Sequence, residues 1–140
     1  MFAMTKEERE AFLSDVRYGV LSVEAKGRAP VSMPIWYIFE DGELFFFSVK
    51  SAKKVELIRA AGRVTVCALT EEPPAKYVSV EGAVISIEPC DFERDMRLIA
   101  RRYLGEERGD RYTEEVKAAE EMITIRVRPE HWSSADYSKT

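Results

Sequence analysis

Very little in this sequence could ligate a metal or run acid–base chemistry: 140 residues carry one histidine and two cysteines. Cys67 falls inside an apolar strand pattern and Cys90 beside a turn, without Cys-x-x-Cys spacing. A cage of cysteine and histidine is therefore set aside, and two free, reduced thiols are expected. Long apolar runs are missing too. Runs such as Leu44 to Phe47 are far too short to span a bilayer. The N-terminus turns acidic at Glu7-Glu8, where a signal peptide needs an apolar stretch. A cytoplasmic protein without membrane insertion is the expectation. Excess positive charge is absent as well, since the formal net charge is -4. No nucleic-acid partner is expected, and any basic function must come from a local cluster. There is no G-x-S-x-G elbow, Walker loop, G-x-G-x-x-G, internal repeat or low-complexity segment.

What remains suits one soluble domain over residues 1–140, with a core over about 5–132 and a tail at 133–140; the composition is 46% hydrophobic and 33% charged. Thr5-Lys6-Glu7-Glu8 reads as a capping box. It opens a helix with Phe12 and Val16 on one side that ends near Tyr18-Gly19. Gly19 to Ala25 reads as a strand closed by a turn at Lys26-Gly27. From Pro30 to Phe39 the pattern alternates, with Val31, Met33, Ile35, Tyr37 and Phe39 on one face and Ser32, Pro34, Trp36 and Ile38 on the other. Pro34 cannot donate a ladder hydrogen bond and marks an edge or a bulge. Asp41-Gly42 signals a tight hairpin into Glu43 to Val49.

Ser51 to Ala61 has helical spacing, and Gly62 is placed to stop it. Strands follow at Arg63 to Thr70 and Tyr77 to Ile87, joined by Glu71 to Lys76. Asp91 caps a helix striped with Phe92, Met96, Ile99 and Tyr103. A charged break at Gly105 to Asp110 precedes a polar helix to about Glu121. Met122 to Arg128 is a last strand, ended by Pro129, and the tail beyond shows no period. The order predicts a mainly β protein with α: a six-stranded antiparallel barrel, closed or nearly so, with flanking helices. An open α+β sandwich is the alternative.

The most informative segment is Lys50-Ser51-Ala52-Lys53-Lys54, with three lysines at a helix N-terminus. Helix dipoles favour acidic residues there, so the placement makes sense if an anion sits on the free N–H groups, the Ser51 hydroxyl and the ammoniums. Otherwise it is a solvated lysine run. Arg59 lies about two turns further on, and Arg63 opens the next strand. His131, between Pro129 and Trp132 in the tail, reads as a packing or exposed residue, and Glu81 as a carboxylate in a structural pair. An anion site without catalytic dyads points to a cofactor that performs the chemistry itself.

Gly27-Arg28-Ala29-Pro30-Val31-Ser32-Met33-Pro34-Ile35-Trp36-Tyr37, then Ser51-Ala52-Lys53-Lys54 with Leu57, Arg63-Val64 and Tyr77-Val78-Ser79-Val80-Glu81-Gly82, resemble the pyridoxamine 5'-phosphate oxidase-like superfamily. The nearest branch is that of flavin- and deazaflavin-dependent oxidoreductases. Arg102-Tyr103-Leu104-Gly105 and Val127-Arg128-Pro129-Glu130 add to the likeness. The resemblance implies a split β-barrel and a homodimer with cofactor sites at the subunit interface. It implies that Ser51 and Lys53 hold the cofactor phosphate, with Lys50 and Lys54 nearby. Met33, Pro34, Ile35 and Trp36 would run along the ring; Ala75, Lys76 and Tyr77 would reach a cofactor site, and the tail around Trp132 would cover part of it.

The residues Asp136 to Thr140 lack the arginine-containing substrate motif of true pyridoxamine-phosphate oxidase, so vitamin B6 oxidation is not expected. Coenzyme F420 is the expected cofactor, because Lys50, Lys53, Lys54, Arg59 and Arg63 suit its phosphodiester and glutamate tail. FMN is the alternative, and a non-catalytic carrier of either cofactor a third reading. The expected partners are a small-molecule substrate and a second copy of the chain, the latter on the argument that Trp36, Phe45 and Phe47 leave apolar surface uncovered.

Overall fold

The computed structural model describes residues 1–139. Thr5 accepts from the Glu8 N–H while the Glu8 side chain accepts from the Thr5 N–H, closing the capping box that starts α1 (Lys6–Ser14). Strands β1 (Gly19–Val23), β2 (Val31–Ile35), β3 (Ile38–Glu40) and β4 (Glu43–Val49) follow. Helix α2 (Lys53–Ala61) ends on Gly62, in the left-handed region at φ 70. Next come β5 (Arg63–Leu69) and β6 (Lys76–Pro89). A single π-helical turn (Phe92–Met96), capped by Asp91, runs into α3 (Arg97–Leu104). Helix α4 (Glu106–Ala119) and β7 (Met122–Asp136) complete the chain.

The strands form one antiparallel sheet in the order β2-β1-β5-β6-β7-β4-β3. The described residues form seven strands, not the six expected. The extra one arises because Trp36 and Tyr37 leave the ladder and divide the long alternating segment into β2 and β3. The predicted Asp41-Gly42 turn joins β3 to β4, with positive φ at both residues. Strands β2 and β3 are the two edges, and Pro34 sits on an edge as a residue without an N–H should.

The last strand does not stop at Pro129. Gly82 faces Pro129 and Glu81 faces His131, so Glu130 is the extra residue of a β-bulge. A Cβ at position 82 would lie 2.1 Å from the Arg128 carbonyl oxygen, so glycine alone admits this close approach. Glu130 then accepts from the Ala83 N–H at 2.9 Å, satisfying a donor that the bulge displaces. Beyond it the tail continues as strand to Asp136, whose N–H bonds to the Phe2 carbonyl at 2.7 Å.

Inward residues of all the main strands form the principal core, with Leu21, Phe46, Val66, Val80 and Ile125 nearly inaccessible to solvent. A second cluster places Ile38 and Phe45 against Ile99 of α3, with Trp36, Phe47 and Tyr103 around them. Of the aromatic surface expected to need a second subunit, Phe45 is buried against the chain's own helix, while Trp36 and Phe47 are only partly buried. The expected break over Gly105 to Asp110 shrinks to Gly105 alone. Arg97 and Arg101 of α3 both reach Asp110 of α4, at 3.0 and 2.7 Å, and pin the corner.

Candidate functional site

The turn Lys50-Ser51 carries the chain from β4 into α2, whose N-cap is Ala52 in extended conformation with no side-chain cap. The first N–H groups of the helix are left to an outside acceptor. Lys53 and Lys54 stand in its first turn. Across from them lies the β1–β2 turn, and between the two is a hollow of about 580 Å³ lined by Lys26, Arg28, Met33, Lys53, Lys54 and Leu57 among others. Its lining holds four cations and no carboxylate. In a chain with 25 acidic residues that is a strong local bias.

Lys54 also lines a second hollow of about 260 Å³, walled by Tyr18, Pro34, Ile35, Trp36, Phe47 and Tyr112. Tyr18 and Pro34 continue into a third, of about 880 Å³, bordered by Val16, Leu69 and the loop Thr70 to Pro74, with Lys76. Three hollows therefore follow one another along the outer side of edge strand β2. Trp36 is fixed in this row: its indole stacks on Tyr103 at 5.2 Å and 8°, and meets Tyr112 at 5.3 Å.

Burial lowers the pKa of Lys54, which is in no ion pair within 4.0 Å among the described residues. Burial likewise raises Tyr112 and Tyr103, so both phenols stay protonated and able to donate.

The structure brings together Met33, Pro34, Ile35, Trp36, Lys53, Lys54 and Lys76 along this row. Ser51 is exposed at its end and does not cap the helix. Others of the expected set lie elsewhere. Lys50 pairs with Glu121 at 3.1 Å, and Arg63 with Glu130 at 2.8 Å. Arg59 lines a separate hollow with Gly62 and Ile87. The Ala75 carbonyl oxygen accepts from the Tyr137 N–H at 3.0 Å, and Tyr77 is laddered between Leu69 and Ala135. Trp132 packs on Phe39 and under the Arg9 guanidinium, and lines none of the three hollows. His131 and Glu81 approach to 4.0 Å, both largely exposed. Sequence reasoning missed Lys26, Arg28, Tyr18 and Tyr112; Lys26 and Arg28 flank the glycine of a turn and carried no further signal of their own.

A model of the family described as pyridoxamine 5'-phosphate oxidase matches residues 5–134. Among solved structures, a conserved hypothetical protein from Mycobacterium tuberculosis is 20% identical with a TM-score of 0.80, over 97% of this chain and 87% of its own. An F420 reductase is 22% identical with a TM-score of 0.72, over 89% of this chain and 94% of its own. A FAD-binding protein from Mesorhizobium loti is 24% identical with a TM-score of 0.63, over 94% of each chain. No curated protein matches. At these identities the likeness to the structures is one of fold.

Proposed function

The chain belongs to the pyridoxamine 5'-phosphate oxidase family, and from that premise we propose that it is an oxidoreductase that binds a flavin-type cofactor, coenzyme F420 foremost, and acts on a small conjugated or quinone-like molecule. The observation that carries this reading is the lining of the 580 Å³ hollow, four cations and no carboxylate at an uncapped helix N-terminus. That donor set fits a phosphate: backbone N–H groups from α2, Lys53 beside them, Lys26 and Arg28 opposite. Met33 to Trp36 lie next along the groove and would flank the ring. When bound, such a cofactor supplies hydride transfer, and the protein supplies binding and orientation. Tyr103 holds the Trp36 plane, and Tyr18 and Tyr112 line the neighbouring space.

An FMN-binding enzyme is the second reading. The observation favouring it is that Lys50 and Arg63 are ion-paired and Arg59 faces another hollow, so fewer cations remain for an acidic tail. Visible absorbance of the purified protein, titrated with F420 and with FMN, tests both; a failure to perturb either spectrum overturns the proposal. A turnover assay with reduced cofactor and quinone acceptors then separates an enzyme from a carrier.

We further propose the split-barrel form of the sheet, supported by the bulges that bend β6 and β7, and a homodimer. Support for the dimer comes from the partly exposed Trp36 and Phe47 and from the 880 Å³ hollow, where Val16, Tyr18 and Leu69 are exposed beside Val20 and Pro34. A monomeric mass by sedimentation at micromolar concentration would overturn it.

A further inference from the structure

We propose that Asp110 is a positioning residue for the ring end of the groove: gripped by two arginines of α3, it fixes the swing of α4 and so sets Tyr112 against Trp36. That Tyr112 thereby shapes a cofactor site rests on the cofactor reading above; that Asp110 places Tyr112 does not.

Apolar packing alone fixes α4 loosely. Of its 14 residues only Gly109 and Thr113 are buried. Gly109 marks where the helix crosses α3. A Cβ there would lie 2.7 Å from the N and Cα atoms of Arg101, so the two backbones touch. A contact that narrow is a pivot: it fixes the distance between the helices and leaves their angle open. Beyond it, Tyr112 and Val116 pack at the margin of Cys90, Met96 and Met122, and both stay partly exposed.

Asp110 stands next to the pivot, and its bonds restrict direction as well as distance. Arg101 meets it fork to fork, Nε donating to Oδ1 at 2.7 Å and Nη2 to Oδ2 at 2.9 Å. Two parallel hydrogen bonds between planar groups fix their relative orientation. Arg97 donates to the same Oδ1 at 3.0 Å and to Glu114, one turn further along α4, at 2.5 Å. Glu93 of the π-helical turn holds Arg97 in its turn, at 2.9 and 3.0 Å. Partly exposed pairs of this kind add little to stability. Beside a pivot, a bidentate pair sets an angle.

Tyr112 is where that angle is felt. It lies two residues past Asp110 and brings α4 to the hollow beside Trp36, the ring centroids 5.3 Å apart at 54°. Tyr103 of α3 stacks on the same indole. Trp36 is thus bracketed by one phenol from each helix, and the angle between the helices sets the gap on the Tyr112 side.

Fluorine NMR of the full chain labelled with 5-fluorotryptophan tests the proposal, because the two tryptophans separate local from general effects. Trp132 is the control, packed on Phe39 and under Arg9, away from Tyr112. Trp132→Phe assigns the signals. Asp110→Asn should shift the Trp36 signal towards its position in Tyr112→Leu and leave the Trp132 signal in place. Gly109→Ala, which keeps Asp110 but forces the helices apart, should move the same signal. A Trp36 signal unmoved by Asp110→Asn overturns the proposal, and so does an equal shift of both signals, which would mean general loosening. Absorbance titration with F420 and FMN gives the second readout. Asp110→Asn should raise the dissociation constant of whichever cofactor binds about twofold to thirtyfold, the range for residues that act on a site without touching it. In the Tyr112→Leu background the same change should add less than about twofold, because the two residues act through one contact. A full effect there, or equal cofactor affinity in the parent and Asp110→Asn, overturns the proposal. A Trp36 shift in a chain that binds neither cofactor sinks only the cofactor reading.

Discussion

The Tyr103 ring lies 8° from parallel to the Trp36 indole, with centroids 5.2 Å apart. Its hydroxyl donates to the Arg17 carbonyl and accepts from the Tyr37 N–H at 3.3 Å. One side chain of α3 thereby ties the joint between α1 and β1 to the point where β2 gives way to β3. The indole that borders the groove is positioned by a helix that contributes nothing else to it.

Tyr103→Phe should keep the stack but leave the Tyr37 N–H and the Arg17 carbonyl without this partner. The expected cost is about 1–3 kcal/mol, the range for a buried group left unpaired. Tyr103→Leu should add roughly 1 kcal/mol for the lost aromatic pair, and should weaken cofactor binding where Tyr103→Phe does not. Urea denaturation read by tryptophan fluorescence measures the first effect and absorbance titration the second. A Phe variant as stable as the parent would show that the hydroxyl carries no weight.

Gly82→Ala should be among the most damaging single-methyl changes in the chain. The added carbon would meet the Arg128 carbonyl oxygen at 2.1 Å and its carbon at 2.7 Å, both backbone atoms of the bulged partner strand. Backbone cannot rotate aside as a side chain can, so about 3 kcal/mol or more is expected. A melting temperature within a few degrees of the parent would mean that the bulge slides instead.

Local signals in the sequence reported well. Thr5 with Glu8, the Asp41-Gly42 turn, the Gly62 stop and the Asp91 cap each act within four residues of themselves, and each stands where it was read. What failed depended on residues far away. Pro129 looks like a strand end until Gly82, distant in sequence, is placed opposite it to accept a bulge. Phe45 looks exposed until Ile99 of α3 packs over it. The candidate site divides the same way. Lys53 and Lys54 were legible because a helix terminus advertises them. Lys26 and Arg28 were not, because only the fold brings the β1–β2 turn across from α2.

The corner between α3 and α4 should be acid-labile. Arg101 and Arg97 beside Asp110 hold its carboxyl down to about 2, below the ~3.9 of an unfolded aspartate. A depressed folded pKa stabilises the fold above the unfolded value, and that contribution disappears as pH falls through the folded one. Asp110→Asn should therefore melt lower than the parent at neutral pH, with the gap closing between about pH 4 and pH 2. A gap that is constant across that range would assign the loss to shape and not to charge.

Lys53→Ala should raise the cofactor dissociation constant about tenfold, at the low end for a charged contact. The low end is expected because Lys53 is exposed and must first leave Glu56, 2.9 Å away. Glu56→Gln should then tighten binding by releasing the lysine. Melting temperatures of both variants should stay near the parent's, since exposed pairs of this kind contribute little. Affinity unchanged in both would place the phosphate away from α2.

The choice between F420 and FMN should be legible in salt. Attraction between exposed charges weakens as ionic strength rises, and F420, with its phosphodiester and glutamate tail, has more charge to lose than FMN. F420 should bind more tightly at low salt, with its advantage shrinking at high salt. Reversal of Arg28 or Lys26, which face the groove opposite α2, should weaken both cofactors through the shared phosphate and F420 the more, because its tail carries further negative charge. Reversal of Arg59, which lines a different hollow, should leave the preference intact. That last variant is the sharpest control, because sequence spacing alone assigns Arg59 to the tail and the fold moves it away. FMN binding that equals or exceeds F420 binding in both buffers would decide for the second cofactor.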